Sequence, residues 1–140
     1  MVFSILQKSV LPLVLFGFLF SCGFIEASST SDKQLVVYYF HTNKRCKTCR
    51  NLENYAKESL QKNFSQQLGE GTIRWEVVNI DKSGNEHFVE EYGLFSSSIV
   101  LVKMKGNQPG QWKNLSRIWS LVKNKKAYMD YIHENIESFY

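Results

Sequence analysis

Two cysteines separated by two residues are the part of this sequence best suited to chemistry. Cys46 and Cys49 enclose only Lys47 and Thr48. Thiols at this spacing can form a reversible disulfide or supply half of a metal site. A purely structural disulfide is a third possibility, but closing so short a loop stabilises a fold little. The pair is therefore a candidate redox-active dithiol, with metal binding through Cys46 and Cys49 as the alternative.

A third cysteine, Cys22, follows an apolar run over residues 10–20 that has Lys8 as its only preceding charge. The run is too short to span a bilayer comfortably, which favours a targeting segment. Its end, Leu19-Phe20-Ser21-Cys22-Gly23, resembles a bacterial lipobox, in which signal peptidase cuts before a cysteine that becomes lipid-modified. We therefore predict a signal peptide over residues 1–22, with Cys22 lipidated. An uncleaved membrane anchor and ordinary secretion are the alternatives.

Each of these alternatives places the rest of the chain outside the cytoplasm, attached to or released at the periplasmic side of a bacterial membrane. Residues 23–34 are mostly small and polar and predict a tether between membrane and domain. With Cys22 lipidated, one cysteine pair remains in an oxidising compartment, which favours a redox role for it.

Residues 35–140 have the length and composition of one domain. The chain is 44% hydrophobic and carries a formal net charge of +4, so it can form an ordinary core. Its lysines are scattered and no nucleic-acid motif accompanies them, so we expect no nucleic-acid partner. No phosphate-binding glycine loop is present, and we expect no flavin or nucleotide cofactor.

The elements that position the dithiol follow from hydrophobic periodicity. Residues 35–40 are apolar on both faces, which predicts a buried central strand. A helix should begin at the cysteines and continue to Gly69, with an apolar stripe that includes Cys49. The other predicted elements are a strand over 73–80, a short helix ended by Gly93, a strand over 99–102, a hairpin turn over 106–110, a strand over 111–115 and a helix from Asn124 to Ser138.

This order, β-α-β-α-β-β-α, predicts a three-layer α/β fold with a mixed four-stranded central sheet. The first two strands must be parallel because a helix of about five turns connects them. The topology places the dithiol between the first strand and the first helix.

A cysteine at a helix N-terminus is well placed to attack a disulfide. The unpaired N–H groups and the partial positive charge of the helix end stabilise a thiolate at Cys46. Arg45 and Lys47 flank this cysteine, and we expect both to lower its pKa further. Cys49 lies on the apolar stripe and should be shielded. Cys46 is therefore the predicted attacking thiol, and Cys49 the thiol that resolves the mixed disulfide.

Residues 35–139 resemble the thioredoxin-like superfamily. Several segments are more narrowly similar to the ArsF group, named as an accessory subunit of nitrophenyl-compound nitroreductase: Tyr38-Tyr39-Phe40-His41, Arg45-Cys46-Lys47-Thr48-Cys49 with Glu53, residues 87–92, residues 98–102 and residues 112–115. The resemblance implies a thiol–disulfide oxidoreductase that acts on a protein dithiol or disulfide partner. A non-catalytic metal-binding module and an accessory subunit of a reductase complex are the alternatives.

Two positions depart from ordinary thioredoxins. The cis-proline that faces the dithiol in that superfamily aligns with Ser98, so we expect a trans Ser97–Ser98 peptide bond and a loop of different shape. The buried carboxylate that assists the resolving cysteine aligns with Tyr39 or Phe40. Cys49 would then lose its proton to water, to His41 or to a nearby lysine. His41 has a role in proton transfer or metal binding, or it is a capping or packing residue.

Two further groups of residues have alternative interpretations. At strand spacing, aromatic residues are more often core than binding groove, and we predict core positions for Tyr38, Tyr39, Trp75, Trp112 and Trp119. A cluster of cations surrounds the cysteines and either docks an acidic partner or forms a solvated helix start; it consists of Lys44, Arg45, Lys47 and Arg50.

Overall fold

A computed structural model describes residues 34–140 as a central sheet with helices on both faces. The elements in chain order are β1 (Gln34–His41), α1 (Lys47–Asn63), α2 (Ser65–Glu70), β2 (Ile73–Asn79), α3 (His87–Tyr92), β3 (Ser98–Lys105), β4 (Gln108–Asn114), α4 (Ile118–Leu121) and α5 (Lys125–Phe139). The predicted signal peptide with Cys22, and the tether up to residue 33, lie outside the described residues. Within residues 34–140, no helix is long and apolar enough to cross a membrane.

The four strands form one mixed sheet in the order β2-β1-β3-β4. β1 pairs in parallel with β2 and antiparallel with β3, and β3 pairs antiparallel with β4. The α/β class, the mixed four-stranded sheet and the parallel first pair are thus confirmed. β1 is central, with Tyr39 opposite Val77 on one side and Ile99 on the other.

The doubly apolar sequence of β1 is explained by two separate cores. Alternate residues of a strand point to opposite faces. Leu35, Val37 and Tyr39 are buried in the larger core under α1 and α5. Val36 and Phe40 are buried in the smaller core under α3. The face that holds Tyr39 is therefore the face against which the dithiol helix packs.

The first helix is shorter than the periodicity predicted. α1 ends at Asn63, and Phe64, with φ −133°, separates it from α2. Phe64 is buried at the end of the α1 stripe, whereas α2 contains no buried residue. The chain thus turns after the last buried side chain of the α1 stripe. Gly71, with φ +74°, ends α2 in the left-handed region that favours glycine. The four-residue α4 was not predicted, because one turn is too short to show a period.

Two of the five aromatic residues predicted as core are exposed. Trp112 and Trp119 retain about two fifths of their surface, 43% and 40%. Trp112 lies on the edge strand β4 and contacts Tyr92 edge to face at 5.4 Å between ring centroids. Trp119 lies on α4 outside the predicted strands. Tyr39 is fully buried, as predicted, and Tyr38 and Trp75 are half-buried and pack against the two cores.

The last helix holds α1 onto the sheet. The Asn124 side chain accepts a hydrogen bond from the Ala127 N–H at 3.1 Å, which is the predicted N-cap. Four residues of α5 are buried, namely Tyr128, Ile132, Ile136 and Phe139. The Tyr128 hydroxyl donates to the Leu52 carbonyl of α1 at 2.7 Å. A buried hydrogen bond thus connects the two helices on this face.

We expect Tyr128→Phe to lower the free energy of unfolding by about 1 kcal/mol at neutral pH, because it removes this hydrogen bond. Burial also raises the pKa of Tyr128. The unfolded chain then loses this proton first as pH rises, so the stability that the neutral hydroxyl contributes is complete below the ordinary tyrosine pKa of about 10 and falls above it. The variant should therefore lose less stability than the wild type between about pH 9 and about pH 11, a range that brackets this ordinary value.

Urea unfolding across this pH range measures both effects. Tyr55→Phe is the matched control, because the Tyr55 ring contacts the Tyr128 ring at 5.9 Å but its hydroxyl forms no hydrogen bond within residues 34–140. A Tyr128→Phe variant as stable as this control at neutral pH would contradict the assignment.

Candidate active site

The dithiol lies at the first turn of α1, and the two sulfur atoms are in different environments. Cys46 is the N-cap of α1 with extended backbone, and its Sγ accepts a hydrogen bond from the Cys49 N–H at 3.0 Å. A disulfide joins Cys46 and Cys49, whose Cα atoms are 5.1 Å apart. Cys46 is exposed, whereas Cys49 retains only 8% of its surface. This is the asymmetry that an attacking and a resolving cysteine require.

The cations around the dithiol divide into two groups. Lys44, Lys47 and Arg50 are exposed, and none of them forms an ion pair with a residue in the range 34–140. The first turn of α1 contains no acidic residue. These three residues therefore form an exposed cationic surface beside Cys46, which we call the cationic collar.

Arg45 is different because its charge is paired. It forms an ion pair with Glu53, and the two side chains retain 32% and 20% of their surface. The Arg45 Nε is buried and has no hydrogen-bond partner among the described residues. The Arg45 carbonyl accepts a hydrogen bond from the Arg50 guanidinium at 2.8 Å. The Arg45 side chain is thus held along α1 by Glu53, which lies two turns beyond Cys46.

Tyr39 occupies the position behind the resolving cysteine. Its hydroxyl donates to the Cys49 carbonyl at 2.7 Å. Burial raises the pKa of Tyr39, and this effect exceeds the lowering caused by the neighbouring Ser97 and Arg45 side chains. Phe40 points to the opposite core. Tyr39 and Phe40 are the two candidates for the position of the buried carboxylate. Tyr39 is the one that lies behind Cys49, and it presents a neutral hydroxyl there.

In the loop before β3, Ser97 and not Ser98 lies beside the Tyr39 hydroxyl that binds the Cys49 carbonyl. The Ser97–Ser98 peptide bond is trans, as expected. Ser98 is paired with Phe40 across the strands, and its hydroxyl donates to the Ser96 carbonyl at 2.9 Å. Ser97 lies beside the Tyr39 hydroxyl. Its carbonyl accepts a hydrogen bond from the Trp119 indole at 2.9 Å, so α4 anchors this loop.

A shallow cleft of about 230 Å³ adjoins this loop, between it and α4. Its walls include Ser97, Ile118 and Trp119. Phe95, at its rim, is 99% exposed. An apolar side chain of a bound polypeptide would find contacts here.

His41 ends β1 on the same face as Tyr39. The two rings lie 6.1 Å apart between centroids, and the His41 Nδ1 is 2.9 Å from the Thr42 carbonyl oxygen. Within residues 34–140, no three His, Cys, Asp or Glu side chains come together as a metal-binding group. A metal on Cys46 and Cys49 would therefore need ligands from elsewhere, such as a second chain.

Sequence reasoning named Glu53 only as part of the ArsF-like segment and did not predict its ion pair with Arg45, and it missed the contacts of Ser97 and Trp119. For Glu53 a signal was present, because it follows Cys49 by four residues and side chains at this spacing are neighbours on a helix. The contacts of Ser97 and Trp119 join residues 22 positions apart, and no local pattern reveals them.

The comparisons with known proteins return solved structures only. No protein-family profile and no curated protein matches the chain. It is similar to the thioredoxin of Fasciola hepatica at 18% identity, covering 69% of this chain and 83% of that chain, with a TM-score of 0.40. It is similar to the Trx4 domain of ERdj5 at 14% identity, covering 76% of this chain and 82% of that chain, with a TM-score of 0.47. It is also similar to thioredoxin O2 of Arabidopsis thaliana in the oxidised state at 17% identity, covering 68% of this chain and 75% of that chain, with a TM-score of 0.41.

We expect iodoacetamide to modify Cys46 at least about tenfold faster than Cys49 in the reduced chain at neutral pH, because thiolate character and exposure both favour Cys46. Quenched samples analysed by peptide mass spectrometry give the two rates. A Cys22→Ser background leaves these two thiols as the only ones. Equal rates would contradict the assignment of separate roles.

Proposed function

We propose that this chain, whose fold is thioredoxin-like, is a thiol–disulfide oxidoreductase that uses the Cys46–Cys49 dithiol. The observation that carries the proposal is the position of the two sulfurs, one exposed at a helix N-cap and the other buried one turn later. The Cys49 N–H already donates to the Cys46 Sγ. The same N–H would stabilise a Cys46 thiolate after reduction, together with the helix dipole.

In the reducing direction, the Cys46 thiolate attacks one sulfur of a partner disulfide. A mixed disulfide forms and the partner's other sulfur leaves as a thiolate, which takes a proton from water. Cys49 then attacks the Cys46 Sγ and releases the second partner sulfur. The partner gains two electrons, and the chain ends with the Cys46–Cys49 disulfide that the structure contains. The reverse sequence oxidises a partner dithiol.

For the partner, we propose a protein with acidic residues near its cysteine. The cationic collar of Lys44, Lys47 and Arg50 supports this choice because its charges are exposed beside Cys46 and unpaired within the described residues. An uncompensated positive surface attracts an acidic partner and raises the association rate.

The location of the chain is a further part of the proposal. We propose that a lipid on Cys22 or an N-terminal anchor attaches it to the periplasmic side of a bacterial membrane. The apolar run over residues 10–20 and the sequence around Cys22 support this. Because of the similar segments around β1 and the dithiol, we also propose membership of the ArsF group, in which the chain would serve as an accessory subunit of a reductase complex. We propose no resident cofactor or metal.

The oxidoreductase proposal predicts that the reduced full chain reduces insulin disulfides in the presence of dithiothreitol. Cys46→Ser should abolish the gain over dithiothreitol alone, because it removes the attacking thiol. In a separate reaction without dithiothreitol, a pre-reduced Cys49→Ser chain that also carries Cys22→Ser should accumulate a disulfide between Cys46 and the insulin chain, because the resolving thiol is absent. Turbidity and mass spectrometry measure the two results. A wild-type rate equal to that of dithiothreitol alone would argue against the proposal.

The proposed partner charge predicts that Lys44→Gln with Lys47→Gln slows the reduction of an acidic disulfide peptide by about three- to tenfold at low salt, because two steering charges are lost. The reduction of an uncharged disulfide peptide should change by less than about twofold. Lys57→Gln with Lys62→Gln is the matched control, since it removes two exposed charges from the distal part of α1. Equal effects of the two double variants would show that the collar is only a solvated helix start.

A further inference from the structure

We infer that Glu53 accepts the proton of Cys49 when this thiol resolves the mixed disulfide, and that Arg45 holds the Glu53 carboxylate in place for this step. The inference rests on the proposed function and adds a residue to it. It also answers a question that the sequence left open, because the position behind Cys49 holds the neutral Tyr39 in place of a carboxylate.

The helix itself brings the two groups together. Cys49 and Glu53 are four residues apart in α1, and side chains at this spacing have their Cβ atoms about 5–6 Å apart on one helix face. Cys49 is buried and Glu53 retains only 20% of its side-chain surface. The other carboxylate on α1, Glu58, lies further along the helix, is exposed and is paired with Lys125 of α5.

Arg45 turns this carboxylate towards the N-terminal end of the helix. It immediately precedes Cys46 and is ion-paired with Glu53. Its guanidinium also lies beside the Tyr39 hydroxyl, which is hydrogen-bonded to the Cys49 carbonyl. The ion pair therefore extends over the turn that contains Cys49. Without Arg45, nothing else among the described residues would hold the Glu53 carboxylate in this direction.

The charge balance of this cluster allows the transfer without creating an uncompensated charge. A buried thiol ionises with difficulty, because the anion loses its hydration. Before transfer, the Arg45 cation faces the Glu53 anion. After transfer, it faces a neutral Glu53 and a Cys49 thiolate, so one cation still balances one anion and no uncompensated charge is created. The Arg45 Nε–H has no partner among the described residues, so it is a free donor for the Cys49 thiolate.

The other groups around Cys49 are less suited to this task. Tyr39 is protonated and already donates to a carbonyl. The Tyr128 hydroxyl is committed to Leu52. The His41 Nδ1 contacts the Thr42 carbonyl, and within residues 34–140 the ring forms no hydrogen bond with either cysteine. The Asp81 carboxylate is exposed and accepts the Asn43 N–H at 2.7 Å, and the collar lysines extend into solvent.

The proposed step is balanced as follows. In the mixed disulfide, the Cys46 Sγ is bonded to the partner sulfur and Cys49 is a thiol. Its proton moves to the Glu53 carboxylate, and the Cys49 thiolate attacks the Cys46 Sγ. The Cys46–Cys49 bond forms and the bond to the partner breaks. The partner thiolate takes a proton from water, and Glu53 later returns its proton to solvent.

The test uses the full chain in a Cys22→Ser background, reduced and mixed with 5,5′-dithiobis(2-nitrobenzoate). The first thionitrobenzoate is released by Cys46, and the second is released only when Cys49 resolves the adduct. We expect Glu53→Gln to leave the first phase unchanged within about twofold and to slow the second by about tenfold at neutral pH, less than the full effect of many general bases because water can partly replace the carboxylate. Glu53→Asp should restore part of the second phase.

The matched control is Glu58→Gln, which removes an exposed carboxylate from the same helix and should leave both phases unchanged. In Glu53→Gln, the second phase should also accelerate continuously with pH, since only the thiol then titrates. An unchanged or faster second phase would overturn the inference, the faster rate showing that Glu53 merely neutralises Arg45. Equal slowing of both phases would overturn it as well. The proposed function itself fails on a different result, namely a wild-type chain that shows no second phase.

Discussion

The hydrogen bond from the Tyr39 hydroxyl to the Cys49 carbonyl is the contact on which the geometry of the site depends. It joins the central strand of the sheet to the first turn of α1, at 0% exposure of the tyrosine. A helix that packs only through apolar side chains can slide or rotate at small cost, whereas a buried polar contact has one good geometry. Tyr128 makes an equivalent bond to Leu52, less than one turn further along. One tyrosine from the sheet and one from α5 thus fix the start of α1.

This constraint explains why the two cysteines differ so strongly although only two residues separate them. With the Cys49 carbonyl held towards β1, the Cys49 side chain lies against the core, and Cys46 at the N-cap projects into solvent. The difference in exposure is a property of helix geometry and of where the helix is anchored. It would be lost if the helix rotated by a third of a turn.

Much of this arrangement could be predicted from the sequence, because it depends on local periodicity. The two faces of β1, the stripe of α1 and the N-cap at Asn124 determined the α/β class and the sheet. The interruption at Phe64, the exposed Trp112 and Trp119, and the short α4 could not be predicted in this way, because they depend on which element happens to lie opposite. Which of Tyr39 and Phe40 lies behind Cys49 could likewise not be predicted, because it depends on which face of β1 packs against α1. The cations were the hardest case: four neighbouring positive residues look equivalent in sequence, yet only Arg45 is paired within the described part of the chain.

Within residues 34–140, Arg45 is ion-paired and the three residues of the cationic collar are not, so the two kinds of cation act differently on the dithiol. Lys44, Lys47 and Arg50 oppose the helix dipole, and they are tolerated because water screens them. Arg45 is partly buried, and its ion pair with Glu53 offsets the hydration that its charge loses. Since β1 offers a hydroxyl at Tyr39 and no carboxylate, the anion comes from the helix itself, and Glu53 is the residue whose spacing allows it. The ionisable chemistry around the buried cysteine is thus carried by α1 and the residue preceding its cap, while the strand contributes a neutral hydrogen bond that keeps the helix in place.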